Sequence, residues 1–210
     1  MSLSEVYSAD ELRRRAYRHV RGEIGAVDHV GDHLLNPHAL HEFEGRKLRD
    51  AAVLVPVIDD GGQANVIFTL RTATLRSHSG QIAFPGGAID PEDRSAEEAA
   101  LRETEEEIGL SRSYVETVGR LPDYVSFTGF RITPVIGVVT RGYHLTLNPV
   151  EVDEVFEVPL SFLMDPRNHR QDSIVRQGIE RHFYQMPYGE RNIWGITAGI
   201  VRSLYERLYA

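Results

Sequence analysis

Residues 86–110 read GGAIDPEDRSAEEAALRETEEEIGL, and this stretch decides the fold because it predicts a glycine turn that leads into a short, acidic helix. Ser95 can act as the N-cap, and Glu98 follows three residues later, which is the spacing of a capping box. The alanines that follow favour helix, and Gly109 is the expected stop. We therefore predict one helix between Ser95 and Gly109.

The second half of this helix carries a cluster of glutamates. At about 3.6 residues per turn, Glu103 and Glu107 lie one above the other, and Glu106 lies beside both. Two carboxylates about 5 Å apart in a partly buried site repel each other by roughly 3 kcal/mol. A solvated face is the ordinary explanation of a charge run. A bound cation would reverse this repulsion, and the flanking Gly87 and Arg102 favour that second interpretation.

These residues resemble the signature of the Nudix family, whose second half is Arg-Glu-apolar-any-Glu-Glu-any-Gly-apolar. The chain matches it from Arg102 to Leu110, with Thr104 in the apolar position. In the first half of the signature, Asp93 stands where the family has Glu, and one extra residue separates it from Arg102. The resemblance implies an α/β fold, namely the Nudix α/β/α sandwich with a mixed central sheet. The acidic helix would lie on one side of the sheet and the C-terminal helix on the other.

The segment before the helix holds a second set of motifs, which reads IFTLR at 67–71, LRSHSGQ at 75–81 and FPGG at 84–87. By itself it indicates a basic loop suited to phosphate, since arginine offers forked hydrogen-bond donors. The full set is similar to the signature of the coenzyme A pyrophosphatase branch of the Nudix family. That resemblance implies four substrate-binding residues: Arg71, Arg76, His78 and Gln81.

The resemblance also implies hydrolysis of a diphosphate with the help of divalent ions. The metal ligands would be Glu103, Glu106 and Glu107, together with the carbonyl oxygen of Gly87. Carboxylate oxygens are hard ligands that suit Mg²⁺ or Mn²⁺. Glu103 and Glu106 would thus be catalytic residues as well as ligands.

Two further catalytic roles follow from the same resemblance. Arg102 would orient a glutamate through a salt bridge without touching the substrate. For the general base, two residues stay open: Glu106 on the helix, and Glu151 just before a late strand. Solvation of a strand end is the alternative role of Glu151.

Coenzyme A or one of its derivatives is the small-molecule substrate that the branch implies, with 3′,5′-ADP and 4′-phosphopantetheine as products. Two alternatives stay open. One is a Nudix pyrophosphatase for another diphosphate, such as ADP-ribose, and the other is a ligand sensor with a Nudix fold and no catalysis. The complete glutamate triad favours an enzyme.

Composition narrows the class of protein and its partners. The 210 residues include 23 basic and 31 acidic side chains, a net charge of −8, which argues against binding to a nucleic-acid backbone. No apolar run approaches the length of a membrane span, and the first residues lack a signal-peptide core. The absence of cysteine fits a reducing compartment, so we expect a cytoplasmic enzyme.

Apolar patterns predict the remaining elements. Strands are expected over 51–58, 65–70, 81–84, 114–121, 132–140, 145–147 and 151–160. Helices are expected over 8–21 and 193–208, and 165–188 is expected to form an excursion or extra hairpin near the substrate. The first helix serves packing or a homodimer. We predict that residues 1–44 form an N-terminal helical extension and that residues 45–210 form one Nudix hydrolase domain.

Overall fold

The computed structural model describes residues 3–20, 29–38, 45, 47–73, 79–176 and 178–210. Its helices are α1 (Leu3–Val6), α2 (Ala9–Val20), α3 (Asp32–Leu35), α4 (Ala96–Ile108), α5 (Leu160–Leu163) and α6 (Ile196–Leu208). Its strands are β1 (His29–Gly31), β2 (Arg49–Asp59), β3 (Asn65–Arg71), β4 (Ile82–Ala83), β5 (Gly86–Ala88), β6 (Val115–Arg120), β7 (Asp123–Val125), β8 (Phe130–Thr140), β9 (Val152–Pro159), β10 (Arg170–Arg176), β11 (Ile179–Tyr188) and β12 (Arg191–Trp194). No helix in this described part of the chain has the length and apolarity that crossing a bilayer requires.

Two long apolar strands form the centre of the main sheet. β2 and β8 run parallel and pair along their whole length, from Arg49 opposite Phe130 to Asp59 opposite Thr140. The main path of the sheet is β1-β7-β8-β2-β3-β4, while β5 pairs with β2, β6 with β8 and β9 with β3. The β2–β3 hairpin is antiparallel, so the sheet is mixed as predicted.

Alternation along β2 sorts the two helical layers. Ala52 and Leu54 face α4 and pack in one core with its alanines, whereas Val55 and Val57 pack on the opposite face with α2 and α6. The predicted sandwich, with the acidic and terminal helices on opposite sides, is therefore confirmed. Leu12 of α2 is fully buried in this second core. Packing therefore explains the apolar face of α2, the helix predicted over 8–21.

Three predicted boundaries are wrong, each for a local reason. Residues 86–88 form strand β5 rather than a turn, because they pair with β2. Residues 145–147 form no strand, because Thr146 N donates to the free carbonyl of Ile108 at the end of α4. Ile193 and Trp194 belong to β12 and not to the terminal helix. Gly195, with φ 63°, turns the chain between β12 and α6.

The capping box is half formed. The side chain of Ser95 accepts a hydrogen bond from Glu98 N at 3.2 Å, as predicted. The carboxylate of Glu98 accepts from Arg94 N rather than from Ser95 N. Gly109 ends the helix in the left-handed conformation, with φ 69°.

The segment 165–188 forms the extra hairpin, β10 and β11, and β12 joins it in a separate three-stranded sheet. In the N-terminal segment, β1 adds a parallel strand to the main sheet through β7, so this part of the chain is not purely helical. Residues 39–44 and 46 lie outside the described residues, and the boundary at residue 45 stays a prediction.

His169 holds the start of the small sheet against α6. Its Nε2 lies 2.6 Å from the carbonyl oxygen of Leu163, and its Nδ1 lies 3.5 Å from Nη1 of Arg202. Arginine can only donate, so this arrangement requires a neutral ring whose Nδ1 accepts. Burial, and then the charge of Arg202, lower the pKa of His169, while the Leu163 carbonyl opposes this shift.

We expect this histidine to make stability depend on pH. Its folded-state pKa lies below the unfolded value of about 6.5, so the unfolded chain binds more protons in between. The free energy of unfolding should fall as pH drops below about 6.5, and should level off below the folded-state pKa. Urea denaturation across this range checks it: His169→Gln should flatten the slope, and His144→Gln at an exposed histidine should not. Equal slopes in wild type and His169→Gln would contradict the prediction.

Candidate active site

Packing and caps fix the acidic helix at both ends. Ala99 and Ala100 are fully buried against Leu54 of β2 and Val135 of β8, which hold α4 close to the sheet. Small side chains permit this close approach. The C-terminal half of the helix, with its glutamates, is thereby placed beside strand β5.

Arg102 is the centre of an ion-pair network. Its Nε and Nη2 donate to the two carboxylate oxygens of Asp93 at 3.1 and 2.9 Å, and its Nη1 donates to Glu103 at 2.8 Å and to Glu106 at 3.3 Å. Nη2 also reaches the carbonyl oxygen of Ala88 in β5, at 3.2 Å. Arg102 therefore ties two glutamates to the loop before the helix and to the neighbouring strand.

Asp93 is a site residue to which the sequence analysis assigned no role. Its side chain is only 4% exposed, and hydrogen bonding to Arg102 is the main cause that lowers its pKa. The signal was present in the sequence, since Asp93 occupies the position of the first glutamate in the family pattern. A shorter side chain on a longer loop reaches the same arginine.

Glu107 is the buried member of the glutamate cluster. Its Oε2 accepts a hydrogen bond from Gly86 N, and its Oε1 accepts one from Nη1 of Arg71, both at 3.1 Å. Burial raises the pKa of Glu107 to about 7, and the charges of Glu151 and Glu103 add to the rise. The Gly86 amide and Arg71 act in the opposite direction.

Glu151 is distant in sequence but close in space. Its charge raises the pKa of both Glu103 and Glu107, although burial is the larger cause for each. Its Oε1 accepts a hydrogen bond from Asn148 Nδ2 at 3.3 Å, and Thr72 N donates to its backbone carbonyl at 3.0 Å. The structure thus brings this predicted residue to the acidic helix.

Gly87 lies directly against the carboxylate of Glu103. A Cβ atom at residue 87 would stand 2.5 Å from Cδ of Glu103, so no other residue fits without moving that carboxylate. Strand β5 holds this glycine in place by pairing Ala52 with Gly87. The backbone at residue 87 can therefore approach whatever the glutamates hold.

The glutamates suit a hard divalent cation by their chemistry. The charges of Glu106 and Glu151 act on Glu103, those of Glu103 and Glu151 act on Glu107, and the Cβ-free backbone of Gly87 lies beside Glu103. In the described residues, no three carboxylate or imidazole side chains converge closely enough to hold an ion as they stand. Instead Glu103 and Glu106 turn to Arg102, and Glu107 turns to Arg71 and Gly86. Glu106 is 59% exposed and can rotate away from Arg102.

A cleft of about 810 Å³ adjoins the glutamates on the other face of the sheet. Its floor includes Arg49, Ala51 and Val53, alternate residues of β2 that share one face. Its roof is one face of the small sheet, formed by Ile174, Arg181, Phe183 and Trp194. Arg71, Gly86 and Gly87 line the cleft where it meets the glutamates.

The cleft contains two of the four predicted substrate-binding residues. Arg71 and Gln81 both line it. Arg76 and His78 lie outside the described residues, so their role stays a prediction. The sequence analysis missed Arg49 and Arg181, because both come from elements that only sheet pairing and the roof bring to the cleft.

The lining of the cleft is basic, although the whole chain is acidic. Three arginines line it, Arg49, Arg71 and Arg181. Asp32 also lines it, but its two oxygens accept hydrogen bonds from Tyr124 Oη at 2.6 Å and from Phe127 N at 2.8 Å. A basic cleft that opens onto carboxylates suits an anionic ligand bridged to them by cations.

Comparison with known proteins gives matches in sequence and in structure. The family model of the NUDIX domain matches residues 47–176. A Photorhabdus laumondii protein named Uncharacterized Nudix hydrolase NudL is 40% identical over 160 residues, which cover 76% of this chain and 85% of that protein. A protein of the same name from Citrobacter koseri is 41% identical over 171 residues, covering 81% and 88%. A solved MutT/nudix family protein from Enterococcus faecalis aligns over 95% of this chain and 74% of its own, with a TM-score of 0.49 and 16% identity.

The pairing of Arg102 with Asp93 should be measurable as a coupling energy in the unfolding equilibrium. In a double-mutant cycle of Arg102→Gln and Asp93→Asn, we expect a coupling of about 1–2 kcal/mol, because the contact is bidentate and the carboxylate is shielded. Urea denaturation without added metal gives the value. The more exposed pair Arg112–Glu105 serves as the matched cycle and should couple less strongly. A coupling near zero at Arg102 and Asp93 would show that Asp93 does not take this structural role.

Proposed function

This chain belongs to the Nudix hydrolase family, which acts on pyrophosphate bonds, and we propose that its substrate is coenzyme A or a derivative of it. Hydrolysis of the diphosphate gives 3′,5′-ADP and 4′-phosphopantetheine, or the acylated form of the latter. One observation carries the proposal: Arg71, Gly86 and Gly87 line an arginine-lined cleft and also contact the glutamates of α4. The resemblance of the motifs over 67–87 to the coenzyme A pyrophosphatase signature supports coenzyme A as the substrate.

The size and charge of the cleft support a nucleotide-containing ligand. Its volume of about 810 Å³ falls within the range of about 300–1,000 Å³ that is usual for small-molecule sites. Apolar and aromatic residues alternate in its lining with a few basic groups, which is typical of a site that orients a large organic anion. Arg71 lies at the junction with the glutamates and would donate to the diphosphate.

Nudix hydrolases generally use divalent ions such as Mg²⁺ or Mn²⁺. In this chain Glu103, Glu106, Glu107 and the carbonyl of Gly87 would hold them. When bound, such ions polarise phosphoryl oxygens and lower the pKa of water. The side chains of the protein must supply the rest, namely orientation of the ligands and acceptance of a proton.

Different residues would orient the metal ligands and accept the proton. Arg102 holds Glu103 and Glu106 in place through Nη1, and is itself anchored by Asp93. Glu107 is fixed by the Gly86 amide, so its carboxylate keeps one orientation. Glu151 would accept the proton from the attacking water, because its charge acts on Glu103 and Glu107 while Glu106 is paired with Arg102.

Initial rates with three substrates test the proposed function. We expect turnover of coenzyme A in the presence of Mg²⁺ or Mn²⁺, with weaker activity on dephospho-coenzyme A and on ADP-ribose. Glu103→Gln should lower kcat for coenzyme A by about a hundredfold or more, because it removes a charged ligand at the reacting centre. A preference for ADP-ribose would overturn the substrate. Equal, near-zero hydrolysis by wild type and by Glu103→Gln would instead favour a sensor.

The identity of the proton acceptor is tested separately. Glu151→Gln should lower kcat at saturating Mn²⁺ by about 10²–10⁴-fold. The affinity of this variant for Mn²⁺, measured by calorimetry, should change little. Glu106→Gln should weaken Mn²⁺ binding, and saturating Mn²⁺ should restore more of its kcat. If the two variants exchange these behaviours, Glu106 is the base.

A further inference from the structure

The end of the cleft away from the glutamates contains two arginines whose guanidinium groups lie over phenylalanine rings. Cζ of Arg49 stands 4.0 Å from the ring centroid of Phe130, and Cζ of Arg181 stands 4.6 Å from that of Phe127. All four residues line the cleft, and we call them the arginine pocket. A guanidinium held over an aromatic ring gains a cation–π contact and still carries forked N–H donors that suit an anion.

Three separate parts of the fold build the arginine pocket. Arg49 and Phe130 are partners at the first rung of the β2–β8 pairing. Phe127 is held by Asp32 of the N-terminal segment, which accepts a hydrogen bond from Phe127 N at 2.8 Å. Arg181 belongs to β11 of the small sheet and reaches the cleft from that side. Because three distant segments converge here, the arginine pocket is better explained as a binding site than as a chance cluster of surface residues.

The charges in the arginine pocket favour an anion. Among the described residues, no carboxylate forms an ion pair with Arg49, and its side chain is exposed to the cleft. Asp32 is the nearby acid, and the charge of Arg181 acts on it, but both Asp32 oxygens already accept hydrogen bonds. Among the described residues that line this end of the cleft, two arginines therefore stand beside one carboxylate whose oxygens already accept hydrogen bonds.

The position of the pocket fixes which part of a ligand it can reach. Val53 of β2 pairs with Gly86, next to the glutamates, and Arg49 lies four residues earlier on the same strand. At about 3.3 Å per residue, the backbone at Arg49 lies about 13 Å along the strand from the level of Gly86 and about 10 Å from that of Gly87, which pairs with Ala52. Arginine side chains shorten this gap, and a ribose spans what is left. A second anionic group on the nucleoside half would therefore meet the pocket while the diphosphate meets Arg71.

We propose that the arginine pocket binds a phosphomonoester carried on the ribose of the substrate's nucleotide half. A phosphomonoester carries a charge of about −1.5 to −2 at neutral pH and offers three acceptor oxygens, which matches two forked donors. The pocket then selects nucleotides that bear a ribose phosphate over those that lack it. This inference rests on the proposed function, whose substrate carries such a group.

Binding of two nucleotides without metal tests the pocket directly. By calorimetry, wild type should bind adenosine 3′,5′-bisphosphate about 100-fold more tightly than 5′-AMP, as two charged hydrogen-bond pairs would give. Arg49→Gln and Arg181→Gln should each lower this ratio by about tenfold. Arg181→Lys keeps the positive charge, so it should lower the binding ratio less than Arg181→Gln does. A graded loss of this kind distinguishes loss of charge from misfolding. The control Arg120→Gln, at an exposed arginine of β6 outside the cleft, should keep the full ratio.

Enzyme kinetics distinguish a failure of the arginine pocket from a failure of the proposed function. With coenzyme A as substrate, Arg49→Gln should raise KM about tenfold, and the increase in KM for dephospho-coenzyme A should be much smaller. Equal binding of the two nucleotides by wild type, or a full ratio in both Gln variants, overturns the pocket even if coenzyme A is hydrolysed. A strong preference that the variants abolish supports the pocket even if coenzyme A is not hydrolysed.

Discussion

Mutual repulsion among the glutamates of α4 is the constraint on which the site depends. Glu103, Glu106 and Glu151 each raise the pKa of a neighbour in the cluster, and burial raises the pKa of Glu107 to about 7. The protein offsets this cost with two arginines, Arg102 within α4 and Arg71 at the end of β3. A crowded set of carboxylates has a high affinity for further positive charge, and this property links the fold to chemistry at a diphosphate.

Arg102 shows how the fold tolerates a departure from the family pattern. The loop before the helix has one extra residue, and its acidic residue is an aspartate. A turn absorbs the insertion: Asp93 N donates to the carbonyl of Asp90, and Asp90 N donates back to the carboxylate of Asp93 at 2.8 Å. This turn directs Asp93 at Arg102, so the network survives a change in both spacing and residue type.

The central sheet separates the two tasks of the site. The glutamates belong to the helix on one face, and the cleft that would receive the organic part of the substrate lies on the other. The two meet only where β5 consists of small residues, since any side chain at residue 87 would displace Glu103. Two segments outside the main sheet complete the cleft. One precedes β2 in the chain and contributes Asp32, and the other is the small sheet, which follows β9.

The sequence by itself determined what local interactions control. The cap at Ser95, the stop at Gly109, the shared face of Glu103 and Glu107 and the alternation of β2 depend on residues close together in the chain, so spacing alone predicts them. The same method extended the last helix over Ile193 and Trp194, because an apolar stripe does not reveal a glycine that reverses the backbone. Only the tertiary structure decided the position of Glu151, the role of Asp93 and the whole arginine pocket. Pairing between distant strands and the packing of the small sheet bring those residues together, and no periodicity in the chain encodes such contacts.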